Sequence, residues 1–139
     1  MMRKQRKDDG QRRGDTARTA GRQKRKVVIL NAAKREGHKI LRDFRYEYVK
    51  AIVKRLEGFG HEHELSDLRI EPIEDFWELK EKGGVLGKIN LRIYFGTVPE
   101  DNEVVVAMAY KKEDDGRVPR HIVIAVQNRL EEYRTGKQQ

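Results

Sequence analysis

Lys88-Ile89-Asn90-Leu91-Arg92-Ile93-Tyr94-Phe95-Gly96-Thr97 decides the fold, because its side chains alternate without a break. Ile89, Leu91, Ile93 and Phe95 fall on one face and Asn90, Arg92 and Tyr94 on the other, the period of two that a strand imposes. Upstream, Glu74 to Lys82 reads as another strand, closed by a Gly83-Gly84 turn. Downstream, Pro99-Glu100-Asp101-Asn102 makes a turn into a strand from Val104 to Lys112. That strand opens with Val104-Val105-Val106-Ala107-Met108-Ala109, apolar on both faces, as suits a central strand covered on both sides. Three consecutive strands with tight turns form an antiparallel meander.

Lys26-Val27-Val28-Ile29-Leu30-Asn31 is a β-branched run ending in an Asn able to cap a helix, so a short strand leads into a helix start. Gly37 interrupts the next stretch. From about Lys39, the residues Leu41, Phe44, Tyr48, Ile52, Leu56 and Phe59 recur at three- and four-residue spacing, with Val49 and Val53 widening the stripe. This predicts one amphipathic helix on the sheet, stopped near Gly58 and Gly60. Residues 61 to 72 are polar and contain Pro72, which predicts a loop. Pro119 suits the first position of a closing helix, whose stripe is Ile122, Val126, Leu130 and Tyr133. The expected class is therefore α+β in the order β-α-β-β-β-α: an N-terminal strand and helix packed on a three-strand meander, with a C-terminal helix.

At 139 residues the chain supports one modest core. Its formal charge of +8 is unevenly placed: residues 1 to 25 hold ten Lys/Arg against three Asp, and the remainder holds twenty-one basic against twenty acidic side chains. The body is almost neutral, so it must bind nucleic acid, if at all, through a focused cluster rather than a broad basic surface. Residues 1 to 25 have almost no large apolar side chains and are expected to be a disordered basic tail. The domain is expected over 26 to 135, with a flexible end at 136 to 139. No apolar segment follows the basic stretch as in a secretory signal, and no run approaches a membrane span. Zero cysteines exclude disulfides and cysteine-based zinc sites, and fit a cytoplasmic protein.

Three cations sit at ends or solvent faces of adjacent strands: Lys80, Arg92 and Lys112. Such a set suits an RNA phosphate. Metal-independent RNA cleavage uses the 2′-hydroxyl as nucleophile, so a protein must remove one proton, steady a dianionic transition state and protonate the leaving oxygen. Arg92 can fork two N–H groups onto phosphate oxygens and stays charged at any relevant pH. A lysine flanked by two cations should have a lowered pKa, so Lys80 or Lys112 could act as acid or base, and His121 titrates in the right range untuned. Each also has a plainer reading. Lys80 lies between Glu78 and Glu81 and suits an ordinary solvated or paired residue, Arg92 suits a cross-strand pair with a carboxylate, Lys112 suits an edge charge, and His121 suits a surface helix position. Trp77, beside Leu79, reads as core rather than as a base-stacking residue. His61-Glu62-His63-Glu64 lacks the helical spacing of a zinc hydrolase, so no metal and no cofactor is expected; Asp114-Asp115-Gly116 reads as a turn.

The second half resembles a known family. Trp77-Glu78-Leu79-Lys80, Arg92-Ile93-Tyr94-Phe95, and Tyr110-Lys111-Lys112 followed by Pro119, Ala125, Arg129-Leu130 and Tyr133 are similar to the strand and closing motifs of RelE/HigB-like toxins of type II toxin–antitoxin systems. The likeness covers about residues 26 to 135. It implies a ribosome-dependent mRNA endoribonuclease that inhibits translation, with a cognate antitoxin, mRNA and ribosome as partners. It also implies Lys80, Arg92 and Lys112 as phosphate-binding and catalytic cations; His121 is a further catalytic candidate by position, and Lys111, Arg117, Arg120 and Tyr94 are the candidate RNA contacts. The chain departs from the pattern in three places. Glu78 stands where a further basic residue is expected, the loop Glu113 to Val118 is acidic and long, and no tyrosine follows it, so His121 is the nearest titratable group. A non-catalytic RNA- or protein-binding module on the same fold, such as a phage or mobile-element protein or a ribosome-associated factor, is the competing reading.

Overall fold

The computed structural model describes residues 24–60 and 65–137. In chain order they form β1 (Lys26–Ile29), α1 (Asn31–Ile40), α2 (Phe44–Lys54), β2 (Arg69–Ile73), β3 (Phe76–Glu81), β4 (Leu91–Val98), β5 (Glu103–Lys111) and α3 (Arg120–Lys137). The expected α+β class and C-terminal helix stand, but strand count and order differ from expectation. One five-stranded sheet runs β1-β5-β4-β3-β2, with β1 parallel to β5 and every other neighbour antiparallel. The meander thus has four strands, and α1 and α2 make the crossover that any parallel pairing requires.

Two errors in the sequence reading have physical causes. Pro72 argued for a loop, yet it lies in β2, the outermost strand, where a proline removes no essential ladder bond. The single long helix is two: the chain extends at Leu41 and turns at Asp43, whose φ is +55°, so residues on either side do not share a face. α2 consequently buries Val49 and Val53 and leaves Phe44 and Tyr48 outside, 63% and 42% exposed. Gly37 does not interrupt α1; it is buried there, where its bare Cα lets the Tyr46 ring approach, and Tyr46 stacks on His38 at 3.8 Å.

The sheet is covered on both sides. Ala33, Val49, Val53 and Leu56 pack on Leu79, Leu91, Ile93, Phe95, Val104 and Val106, while α3 places Ile122, Val123, Val126 and Leu130 on Phe76, Tyr94, Val105 and Met108. α3 approaches so closely at Gly96 that a Cβ there would lie 2.8 Å from Leu130 Cδ1. Trp77 packs at the first layer's edge, its ring 5.1 Å from Phe59.

β5 carries an irregularity that determines which lysine faces α3. Tyr94 pairs with Met108 but Phe95 pairs with Val106, so Ala107 is an extra residue, a β-bulge. Val105 and Ala107 face α3, and so does Met108, after which the alternation continues through Tyr110. β1 has ended by then, with Leu30 N donating to Val106 O. Beyond it, Arg129 Nη1 donates to Ala107 O at 2.8 Å and Ala109 N donates to Glu36 Oε1 at 3.2 Å, while Glu36 and Arg129 pair at 2.7 Å. A side-chain clasp from α1 and α3 thereby closes an otherwise open strand edge.

Residues 1–23 and His61 to Glu64, the latter with the weighed metal motif, lie outside the described residues. Lys24 and Arg25, assigned to the tail, are placed: Arg25 Nε donates to Phe59 O at 2.9 Å and Lys24 Nζ meets Glu57 at 3.4 Å. Positions 136 and 137, expected to be flexible, belong to α3.

Candidate functional site

Strand register, together with the bulge, brings the three cations together. Lys80 and Arg92 are partners in the β3–β4 ladder, and Arg92 pairs with Tyr110, two residues before Lys112. Paired positions on neighbouring strands lie about 5 Å apart, so these groups share one sheet face. The bulge at Ala107 puts Lys112 rather than Lys111 on that face. Lys112 N then donates to Asn90 O at 2.8 Å, prolonging the ladder past the end of β5. The result is a cleft of about 730 Å³ on the α3 side of the sheet, lined by Lys80, Arg92, Lys112, Arg117 and Arg120, and also by Glu71, Glu74, Glu78 and Asp115. That volume is within the range of small-molecule sites.

Each of the three cations has a carboxylate against it. Lys80 Nζ lies 3.0 Å from Glu71 Oε2. Arg92 Nε lies 3.4 Å from Glu78 Oε2, and its Nη2 lies 3.8 Å from Asp115 Oδ1. Lys112 Nζ lies 3.4 Å from Asp114 Oδ1, and donates to Asp114 O at 3.1 Å and to the Gly116 carbonyl. Lys80 and Lys112, read as flanked by cations, thus each have a carboxylate beside them as well. The acidic connection after β5 folds back so that Asp115 also meets Lys82 and the Asn90 amide, each at 3.4 Å. Asp114 caps Gly116 N at 2.8 Å; that N–H and then Lys112 hold its carboxyl below the usual aspartate range.

Beneath the cleft lies a buried polar cluster. Glu78, Arg92 and Tyr94 are all under a tenth exposed, and Glu78 Oε2, Arg92 Nε and the Tyr94 hydroxyl have no hydrogen-bond partner. Arg92, which lines the cleft, is held by its Nη1 donating to Asn90 Oδ1. Burial, and then the Glu78 charge, raise the Tyr94 hydroxyl well above the usual tyrosine range.

The remaining expected contacts separate. Arg117 and Arg120 line the cleft, with Arg120 Nη1 2.6 Å from Glu74 in the β2–β3 turn. Tyr94 is 0% exposed under α3, its ring 5.8 Å from Phe76, so it offers no face to a base. Lys111 points to the other side and lines the groove beside Glu36 and Arg129. His121 is exposed on the first turn of α3 and does not line the cleft. Glu71 was missed because β2 was read as loop; in the ladder it sits opposite Glu78. Asn90 had a signal, since it shares the Arg92 face at a two-residue spacing.

No protein-family model matches the chain, and no curated protein matches it. Among solved structures the chain is similar to one described as the crystal structure of the toxin-antitoxin complex RelBE2 from Mycobacterium tuberculosis, at 19% identity, a TM-score of 0.39, and coverage of 66% of this chain and 94% of that one. At that TM-score the likeness carries no argument about what this chain does.

Proposed function

We propose that the chain is the toxin of a type II toxin–antitoxin pair, an endoribonuclease that cuts mRNA on the ribosome without a metal and is restrained by a cognate antitoxin. The observation that carries this reading is the convergence of Lys80, Arg92 and Lys112 on one cleft, the three positions to which the RelE/HigB-like motifs attach phosphate binding. Arg92, held by Asn90, is the transition-state cation; Lys80 and Lys112 stand on either side of it to position the phosphate. Asp114 and Asp115 occupy the places that phosphate oxygens would take, so RNA entry requires the loop from 113 to 117 to swing away.

A second reading is favoured by a specific observation: Glu78 is buried against Arg92 and cancels its charge from within the protein. On that reading the fold is a non-catalytic binding module, and bound RNA is recovered uncut. Expression in bacteria separates the two. A toxin stops growth, and Arg92→Ala restores it at equal protein level; cells indifferent to the wild-type chain would sink the toxin reading.

A further inference from the structure

The near-neutral body conceals a strong separation of charge. Residues 31 to 55, which contain α1 and α2, hold eight Lys/Arg against three Asp/Glu, whereas the rest of the body from residue 26 holds thirteen against seventeen. One of those three acids, Glu36, is already taken by Arg129 of α3. Lys34, Arg35, Lys39, Arg42, Lys50 and Lys54 are exposed, and none of them has an ion pair among the described residues. The cleft is the opposite case, since Lys80, Arg92, Lys112 and Arg120 there all meet carboxylates. About half of the Lys/Arg of the folded body without an ion pair among the described residues therefore lie in this 25-residue stretch, away from the expected site.

Lys34, Lys50 and Lys54 form a connected row, while Lys39 lines a separate groove beside Glu36 and Arg129. Lys34 and Lys50 flank the same small apolar cavity, about 40 Å³, between α1 and α2. Lys50 and Lys54 in turn line a groove of about 490 Å³ together with Arg25 and Lys26 at the start of β1, four cations against the two carboxylates Glu47 and Glu57, of which Glu57 already meets Lys24. Arg25 is fixed there by its bond to Phe59 O, so the segment with ten Lys/Arg in residues 1 to 25 joins the body at the edge of this same face. On α2, Phe44 and Tyr48 stand one helical turn apart, 63% and 42% exposed, with the Arg45 guanidinium 5.3 Å from the Phe44 ring.

We propose that the α1–α2 face is a second binding site that takes the phosphate backbone of RNA, separate from the cleft. A linear polyanion matches a row of cations that crosses two helices to Lys26 and Arg25 at the start of β1, because each phosphate neutralised releases a counterion. Phe44 and Tyr48 supply sequence-tolerant stacking surfaces on α2. An acidic protein partner would bury a central apolar patch, and the exposed apolar side chains here are two isolated rings among cations. The inference rests on reading RNA as the ligand of this chain, but not on cleavage.

The test uses the full-length chain, a fluorescein-labelled 20-nucleotide RNA and a poly-L-glutamate peptide, with binding followed by anisotropy between 50 and 200 mM salt. The triple variant Lys34→Gln, Lys50→Gln, Lys54→Gln should bind RNA about tenfold more weakly at the midpoint salt and lower the slope of log affinity against log salt by about 2, while the corresponding Lys→Arg triple binds like wild type. Arg92→Ala should lower the slope by no more than about 1. Wild-type affinity and slope in the Gln triple would overturn the proposal. So would loss of poly-L-glutamate binding with RNA affinity intact, which would make the face an acidic-protein site. If only the nuclease reading fails, RNA stays uncut and the Gln triple still binds weakly; if only the docking face fails, cutting persists and the triple binds like wild type.

Discussion

Arg92 Nε and Glu78 Oε2 lie 3.4 Å apart with both side chains 4% exposed, so the central cation of the cleft carries its own buried counter-ion. Neither atom has a hydrogen-bond partner, and the pair is held by charge and packing rather than by a directed bond. Removing one partner strands the other charge in a dry site. Glu78→Ala and Arg92→Ala should each lose about 3 kcal/mol in urea unfolding, while the double change Glu78→Leu with Arg92→Met should recover most of it. A double variant whose loss equals the sum of the two single losses would show that the two groups are not coupled.

Tyr94 gives a pH signature. Burial and the Glu78 charge raise its folded pKa, so above the usual value of about 10 the unfolded chain gives up a proton that the folded chain keeps. The corresponding stability is complete below that pH and is lost as pH rises further, at about 1.4 kcal/mol per unit. Tyr94→Phe should remove this component of the alkaline decline and, since its hydroxyl has no partner, change stability at pH 7 by less than about 1 kcal/mol. A Tyr94→Phe protein with the wild-type alkaline slope would count against the burial argument.

The acidic loop should restrain ligand entry. Asp114→Asn with Asp115→Asn removes the carboxylates facing Lys112, Arg92 and Lys82, so the affinity for inorganic phosphate or a short RNA should rise about three- to tenfold, most strongly at low salt. Unchanged affinity in an isothermal titration would mean that these carboxylates do not compete for the cations.

Gly96 sets the distance between α3 and β4. Gly96→Ala places a methyl against Leu130 Cδ1 and also 3.1 Å from Arg134 Nη2, and should cost about 1–3 kcal/mol while weakening the Arg134 contact to Thr97 O. A neutral Gly96→Ala in thermal unfolding would contradict the close packing.

The fold was legible where one period dominates. Residues 88 to 97 alternate cleanly, so β4 and the faces of Arg92 and Ile93 could be read directly, and the two-sided apolar run correctly made β5 a central strand. Two features were hidden. A proline in an outermost strand resembles a proline in a loop, and the break at Leu41 to Asp43 has no glycine or proline to mark it. The cation set was visible as residues but not as electrostatics. Glu71 faces Lys80 only through the unread strand, and Asp114 and Asp115 reach the cleft only because the loop folds back over it. The bulge at Ala107 was not signalled, although it decides that Lys112 and not Lys111 faces the cleft.

The central claim is that this cleft cuts mRNA on the ribosome, and a reconstituted translation reaction with cleavage positions mapped by primer extension tests it most directly. Wild-type protein should yield cuts that depend on ribosomes; Arg92→Ala should lower the single-turnover rate by about 100-fold or more, and Lys80→Ala and Lys112→Ala should lower it by smaller factors, with circular dichroism showing all four proteins folded. Absence of cleavage by the wild-type chain, or unchanged cleavage in all three variants, would contradict the account.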